Sequence, residues 1–584
     1  DPIIGNLGAT LPPRAQPKNK PMHWIDWIVI GLYFALIGVV AWWYGRDQKD
    51  SEDYFLAGRN AGWITIGASI FTSNIGSEHI VGLAGQGAVT GMAMAHWELH
   101  AWVLIMLAGL FVPFYYKSGV ETIPEFLEKR YSARTRWILS CVSLVAYVFT
   151  KVSVTVYAGA IVFQALLPEV SITLGGSTLD AFWIGAFSTV VITGVYTVFG
   201  GMRAIMATAT PQAVIILVGS AIITYIGLDK LGGWGELVTM AKANRENFAL
   251  WRPLSDPDFP WLGVLIASPI IGIWYWCTDQ YIVQRALSAK DLATARRGAL
   301  FGGLLKVWPV LIFLIPGMIG WALHQKGLIQ IPLKMVNGVG VIDGDRVFPT
   351  LVTALLPAGI RGLIVACLLA ALMSSLASLF NSSASLFTVD IYEKLRPGRS
   401  GKHLLMVGRI ATVVVVGLGI LWIPVMAKIA GGGLYQYLQS VQGYLAPPIT
   451  AVFMLGLFWN RINSAGATWG LAGGFVLGMA KLLIQGVYGK GKVESPAFLA
   501  AIGDFNFLYA TGVLLVASII LMVVASLLTP PPSEEKIRGL TYSSIHQLEA
   551  ADIKASWDLG NKIMVGLIMV FVGGMYLYFS FWLN

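Results

Sequence analysis

Apolar runs long enough to carry a helix through a bilayer, about 18 residues or more, recur along almost the whole chain. Read at that length they give about fourteen spans, at 24–45, 62–87, 91–116, 134–167, 178–199, 203–227, 261–286, 297–322, 361–392, 404–426, 434–456, 466–485, 507–530 and 560–582. A soluble domain cannot hide so much. Only 12% of residues are charged and 56% are hydrophobic, whereas about 25% charge is ordinary for soluble chains. The chain reads as an all-α polytopic membrane protein. Its net charge of +9 fits loops facing anionic lipid. No zinc-finger spacing or sustained basic face supports nucleic acid as a partner.

Lys and Arg gather in 46–61, 117–136, 288–297 and 393–403, and 168–177 has none. The four basic loops alternate correctly to share one side, which the positive-inside rule makes cytoplasmic. Both termini are then expected outside, with external loops at 228–260 and 323–360 and an internal linker at 530–559. Residues 1–23 are expected to be a flexible N-terminal segment, without the basic start and apolar core of a signal peptide. Cys141, Cys277 and Cys367 fall in apolar runs with no CxxC pair, and read as small buried residues.

The run 62–87 is apolar at both ends and polar in the middle, where Thr72, Ser73, Asn74, Gly76, Ser77, Glu78 and His79 stand together. Polar groups at membrane depth are expensive and usually face a site or pathway. Unwound backbone there suggests an ion or solute site between the repeats of a transporter. A second interruption is expected five spans later, around Ser268, Pro269 and Gly272. Two such breaks fit an inverted five-plus-five repeat, with kinks in an ordinary bundle as the competing reading.

Several residues at depth carry chemistry. Glu98 can accept two hydroxyls and His79 can donate or accept one, although a structural bond between helices would also occupy Glu98. Lys306 can neutralise a carboxylate, either Glu98 or Asp279, and still donate to a hydroxyl. Lys151 is a similar charge whose role the sequence leaves open. Among Trp274, Tyr275 and Trp276 one ring can stack on a sugar, or the three can form an interfacial belt. Gln436, Gln439 and Gln442 form a stripe suited to a neutral polyol or to helix joining. For a hard monovalent cation, oxygen comes from the backbone at Thr72 and Ile75 and from the hydroxyls of Ser374 and Ser375. The serine-rich span holding the last two also reads as close helix packing.

Together DYFLAGR (53–59), SNIGSEHIVGLAGQGA (73–88), TIPEFLEKRY (122–131), WYWCTDQYIVQRALSAK (274–290), RGLIVACLLAALMSSLASLFNSSASLFTVDIY (361–392) and YLAPP (444–448) resemble the sodium/solute symporter family, in its sodium/glucose cotransporter branch. The resemblance implies a LeuT-like inverted repeat with one leading and three trailing spans. It implies sugar contacts at Asn74, His79, Glu98, Tyr275, Trp276, Lys306 and Gln439, with Tyr275 as inner gate. It implies a sodium site at Thr72, Ile75, Ala371, Ser374 and Ser375, with Thr72 and Ala371 giving backbone carbonyls. Two departures matter: Ala209 stands where many relatives have aspartate, and Ala377 where two-sodium relatives have a hydroxyl. One sodium per sugar is therefore expected. Gln442 replaces a smaller hydroxyl residue near the sugar, which leaves the preferred hexose open.

The expected domains are 1–23; a leading helix and loop at 24–61; a first repeat half at 62–227; the external loop 228–260; a second half at 261–456 including the loop 323–360; and trailing helices at 457–584. The expected function is sodium-coupled uptake of a neutral hexose, glucose or galactose, across the plasma membrane. Myo-inositol, sialic acid or another small solute is the alternative cargo, and a membrane sensor is a remote one. The 530–559 linker is too small for a catalytic domain. His79, His96 and His100 form no HExxH metal motif, so an enzyme is not expected.

Overall fold

The computed structural model describes residues 22–584 apart from 47, 169, 175–176, 337–338, 430–433 and 490–494. The expected flexible segment therefore lies outside the described residues except for its last two positions. The side chains of Gln436 and Glu78 lie outside them as well.

Eleven helices among the described residues are long and apolar enough to cross a membrane. The expected runs 62–87 and 134–167 are not among them. The first is cut by a break, and the second is divided into Ala133–Ala146 and Ser153–Leu166 by a π-turn. The expected spans 178–199 and 203–227 join in one 51-residue helical run, Ala181–Leu231. At about 1.5 Å per residue that run is more than twice a bilayer core. The chain reverses at Gly201, whose φ of 52° and ψ of −160° suit only glycine. Gly200 touches Gln48 and Arg203 pairs with Asp53, while Asp180 and Leu231 meet Gln164 and Lys326 at the other end.

Contacts between loops show which ends of the helices lie together. Arg59 donates to the carbonyls of Gly119 and Val120, Ala61 N donates to Ser288 O, Tyr116 donates to Lys290 O, and Lys394 pairs with Glu128. All four basic loops thus gather at one end of the bundle. The linker joins them there, with Lys536 donating to Glu128 O and Arg297 pairing with Asp558. The opposite end is built from 228–260 and 323–360, which are not open loops. They hold the helices Trp234–Ala243 and Gly344–Leu355 and a hairpin pairing Leu333–Val336 with Val339–Ile342.

The leading helix, Trp24–Gly45, buries one stripe, Asp26, Ile30, Tyr33, Ile37 and Ala41, and turns Trp24, Leu32, Leu36, Val39 and Trp42 outward. That arrangement suits a helix with lipid on its free side. Asp26 fixes it to the helix Ile360–Ser385 by accepting from Gly359 N, Gly362 N and Arg361. Cys277 and Cys367 are buried as expected, but Cys141 is exposed, because its position on Ala133–Ala146 faces away from the bundle.

Candidate functional site

Two broken helices cross the middle of the bundle in opposite directions. In the first, Trp63–Asn74 ends at Ile75 (φ −90°, ψ 81°) and Ser77–Thr90 begins after an extended Gly76. The second runs through Ser268, Pro269 and Gly272 as helix and breaks later than expected. Trp261–Ile273 passes into a π-turn at Trp274–Thr278, Asp279 is extended, and Gln280–Leu287 begins. The Thr450 hydroxyl donates to Ile270 O at 3.0 Å, giving a carbonyl beside the proline a side-chain partner. Asp279 then breaks the helix by capping Tyr281 N.

Glu98 lies on a short helical turn, Ala95–Glu98, behind Gly91. Gly91 has φ +61°, and a Cβ there would meet Asn247 O at 2.4 Å, so the sharp entry to this span needs glycine. The Glu98 carboxylate is fully buried. Lys306 Nζ donates to one oxygen at 2.6 Å and His79 Nε2 lies 3.2 Å from the other. Of the two carboxylates open to Lys306, Glu98 and Asp279, the structure selects Glu98. Asp279 is bound instead by Lys151 and by the Tyr147 hydroxyl. The Lys151 ammonium also lies 4.9 Å from the ring centres of Tyr147, Tyr275 and Tyr281 and 5.0 Å from that of Trp274.

His79, Glu98, Lys306 and Lys151 line one cavity at the two breaks. Asn74, His79, Glu98, Tyr275, Trp276, Lys306 and Gln439 all line it, and Gln442 does too. Asn74 Nδ2 donates to the Tyr275 hydroxyl at 3.2 Å. Asn74 Oδ1, Gln439 Oε1 and Trp97 Nε1 are buried without a hydrogen-bond partner among the described residues. Two unmatched acceptors and one unmatched donor therefore belong to lining residues of the same cavity.

Thr72, Ile75, Ala371, Ser374 and Ser375 are all buried. The Ser375 hydroxyl donates to Ser73 O at 3.1 Å, and Ser73 Oγ lies 2.9 Å from Ser378 Oγ. These bonds join the serine-rich helix to the end of the first half-helix, where the last carbonyls lose their ladder partners. Ser374 Oγ is buried with no partner among the described residues. A hydroxyl that donates keeps lone pairs for a cation.

The profile of the sodium:solute symporter family matches residues 54–474. The chain belongs to that family. The symporter is 37% identical over 567 residues to sodium/glucose cotransporter 4 of Danio rerio, covering 93% of this chain and 84% of that one. It is 38% identical over 563 residues to sodium/myo-inositol cotransporter 2 of Homo sapiens, covering 92% and 82%. Its fold matches that of a Na+-coupled sialic acid symporter in a substrate-bound outward-open state, with TM-score 0.72, 21% identity and coverage of 87% and 99%. The LeuT-like inverted repeat is thus the fold. The symporter is a multi-pass membrane transporter that couples a small solute to sodium, and not an enzyme.

Sequence reasoning missed Trp97, His100, Thr155 and Leu438 of the symporter's cavity wall. Trp97 gave a usable signal, since it adjoins Glu98. His100 Nε2 lies 2.6 Å from Ser268 Oγ, while His96 lies elsewhere, between Leu250 O and Tyr576.

Proposed function

We propose that the symporter carries a neutral hexose, glucose or galactose, into the cell with one sodium ion by alternating access. The unmatched acceptors of Asn74 and Gln439 beside the unmatched donor of Trp97 carry this reading. A ring bearing hydroxyls answers both senses at once, because each hydroxyl donates and accepts. Trp276 and Tyr275 add ring faces, and Tyr275, held by Asn74, serves as inner gate. The charges at the cavity favour a neutral cargo: Lys306 is matched by Glu98 and Lys151 by Asp279. A carboxylate-bearing solute such as sialic acid would meet cations already engaged.

In this reading sodium binds among the carbonyls of Thr72, Ile75 and Ala371 and the hydroxyls of Ser374 and Ser375. By bridging the first broken helix and the serine-rich helix it favours one conformation over the other, and sugar and ion raise each other's affinity reciprocally. Ala209 and Ala377 are fully buried and offer only methyl groups, which supports a single coupled ion. With the basic end cytoplasmic, an inside-negative potential drives entry by about 2.3 kcal/mol per charge per 100 mV.

Myo-inositol is a second reading, since it is also a neutral ring of hydroxyls and the human relative is named for it. Uptake of labelled glucose, galactose, myo-inositol and sialic acid into proteoliposomes, with and without a sodium gradient, tests both. Sodium-dependent hexose uptake is expected to dominate. Uptake confined to inositol or sialic acid overturns the hexose reading, and a reversal potential giving two sodium ions per sugar overturns the stoichiometry.

A further inference from the structure

A second cavity opens at the basic end between the loop after Ser118 and the 530–559 linker. Lys117, Lys129, Lys536 and Arg538 line it, against the single acid Glu535. Lys129 Nζ donates to Ser118 O at 2.6 Å and Lys536 Nζ to Glu128 O at 2.9 Å. Each ammonium is pinned by one bond and retains further donors. Neighbouring acids are shared with other cations. Glu125 reaches Lys129 at 3.5 Å, and Glu128 is taken by Arg136 at 2.5 Å and Lys394 at 3.1 Å.

The linker builds this shape. Gly539 turns it with φ +74°, its N–H donating to Ser544 Oγ at 3.0 Å. Leu540 and a buried Ile545 then form an apolar wall among the cations. Lys117 and Ser118 close the apolar run His79–Ser118, so the cavity opens where a helix leaves the hydrocarbon. Scattered basic residues at such a boundary are ordinary and solvated. Here two segments far apart in sequence bring four cations and one acid around one cavity, and an entering anion eases the repulsion among the cations.

We propose that this cavity binds a polyanionic phosphate group, with its cations on the phosphate oxygens and Leu540 and Ile545 against the apolar part of an amphiphile. The site is separate from the cavity for the transported solute. An occupant would fasten the linker to the helix Ile123–Arg130, whose first N–H, that of Ile123, donates to Gln280 Oε1 at 2.8 Å at the start of the second half-helix.

The same chemistry is offered by an anionic phospholipid headgroup and by a soluble phosphate compound, so the test has two arms. The full chain is placed in nanodiscs of phosphatidylcholine with a small fraction of labelled phosphatidylinositol bisphosphate, or held in detergent with labelled inorganic triphosphate. Neither sugar nor sodium is needed, so the outcome is independent of the transport reading. Lys117 and Arg538 are exposed, and K117Q/R538Q is expected to weaken binding about 10- to 30-fold, as two cations near a membrane surface should. E535Q is expected to tighten it. Binding in the first arm alone assigns the site to a lipid, in the second alone to a soluble anion, and in both to the phosphate itself. Equal binding by the native chain and K117Q/R538Q in both arms, or weaker binding by E535Q, overturns the proposal.

Discussion

Replacing Lys306 by Met while Glu98 stays in place separates what their ion pair does for the fold from what it does for the cargo. Glu98 is fully buried and Lys306 nearly so. The change removes the 2.6 Å partner of the carboxylate, while His79 stays at 3.2 Å. Stranding one partner of a buried pair costs about 3–5 kcal/mol. Replacing both partners, as K306M/E98L, costs little or even stabilises, because neither charge has then to leave water. His79 still loses its acceptor, which holds the recovery about 1–3 kcal/mol short. The thermal midpoint in detergent without ligand should therefore fall in the single variant and largely return in the double. Sugar affinity should not return. A hydrogen bond to a charged group contributes about 1.5–3 kcal/mol, or roughly 10- to 150-fold in affinity, and the double variant has lost the acceptor. Equilibrium binding of labelled glucose at saturating sodium measures it. A double variant as unstable as the single refutes the packing argument, and one that binds sugar like the native protein refutes the assignment of Glu98.

The other expectations concern separate parts of the molecule. Gln439→Ala should weaken sugar binding about tenfold with little change in thermal midpoint, since its amide oxygen has no partner to lose; unchanged uptake kinetics would remove it from the site. Ser374→Ala with Ser375→Ala should shift the sodium activation curve to higher concentration, whereas a drop in thermal stability with an unshifted curve points to helix packing alone. Burial, with Glu125 adding to it, pushes the Glu121 carboxyl from 4.5 up to about 7. The folded state then holds a proton that the unfolded chain releases, so stability should fall as pH rises between about 4.5 and 7 and level off above. Thermal midpoints measured at about pH 5 and 8 should show that loss in the native chain and a flatter profile in Glu121→Gln.

Charged and polar groups in apolar surroundings were visible without coordinates. The polar centre of 62–87 marked the first break, and Glu98 and Lys306 were conspicuous because hydrocarbon tolerates neither. Partner choice was not visible. Lys306 and Asp279 are closer in sequence than Lys306 and Glu98, yet the fold pairs Asp279 with Lys151. The second break is expected around Ser268, Pro269 and Gly272, where proline and glycine weaken the helical ladder. The π-turn and the capping carboxylate of Asp279 move it toward the basic end, and such effects depend on which neighbours supply donors. Gly201 lies in the gap between two expected spans, so that reversal could be read from hydropathy alone. The phosphate cavity was hidden because its cations come from distant segments, and in sequence they look like ordinary loop charge.

The breaks also set fixed electrostatics at mid-depth. Each helix end carries roughly half an elementary charge, negative where carbonyls point out and positive where amides do. Trp63–Asn74 stops with its carbonyl end beside Ser375, which donates to Ser73 O, so a cation bound there would be attracted by peptide dipoles instead of a formal carboxylate. Peptide groups do not titrate. The ion's grip should accordingly stay level across a range of acidity that would switch off a cage built from aspartates, and protons should make poor substitutes for sodium in driving the cycle.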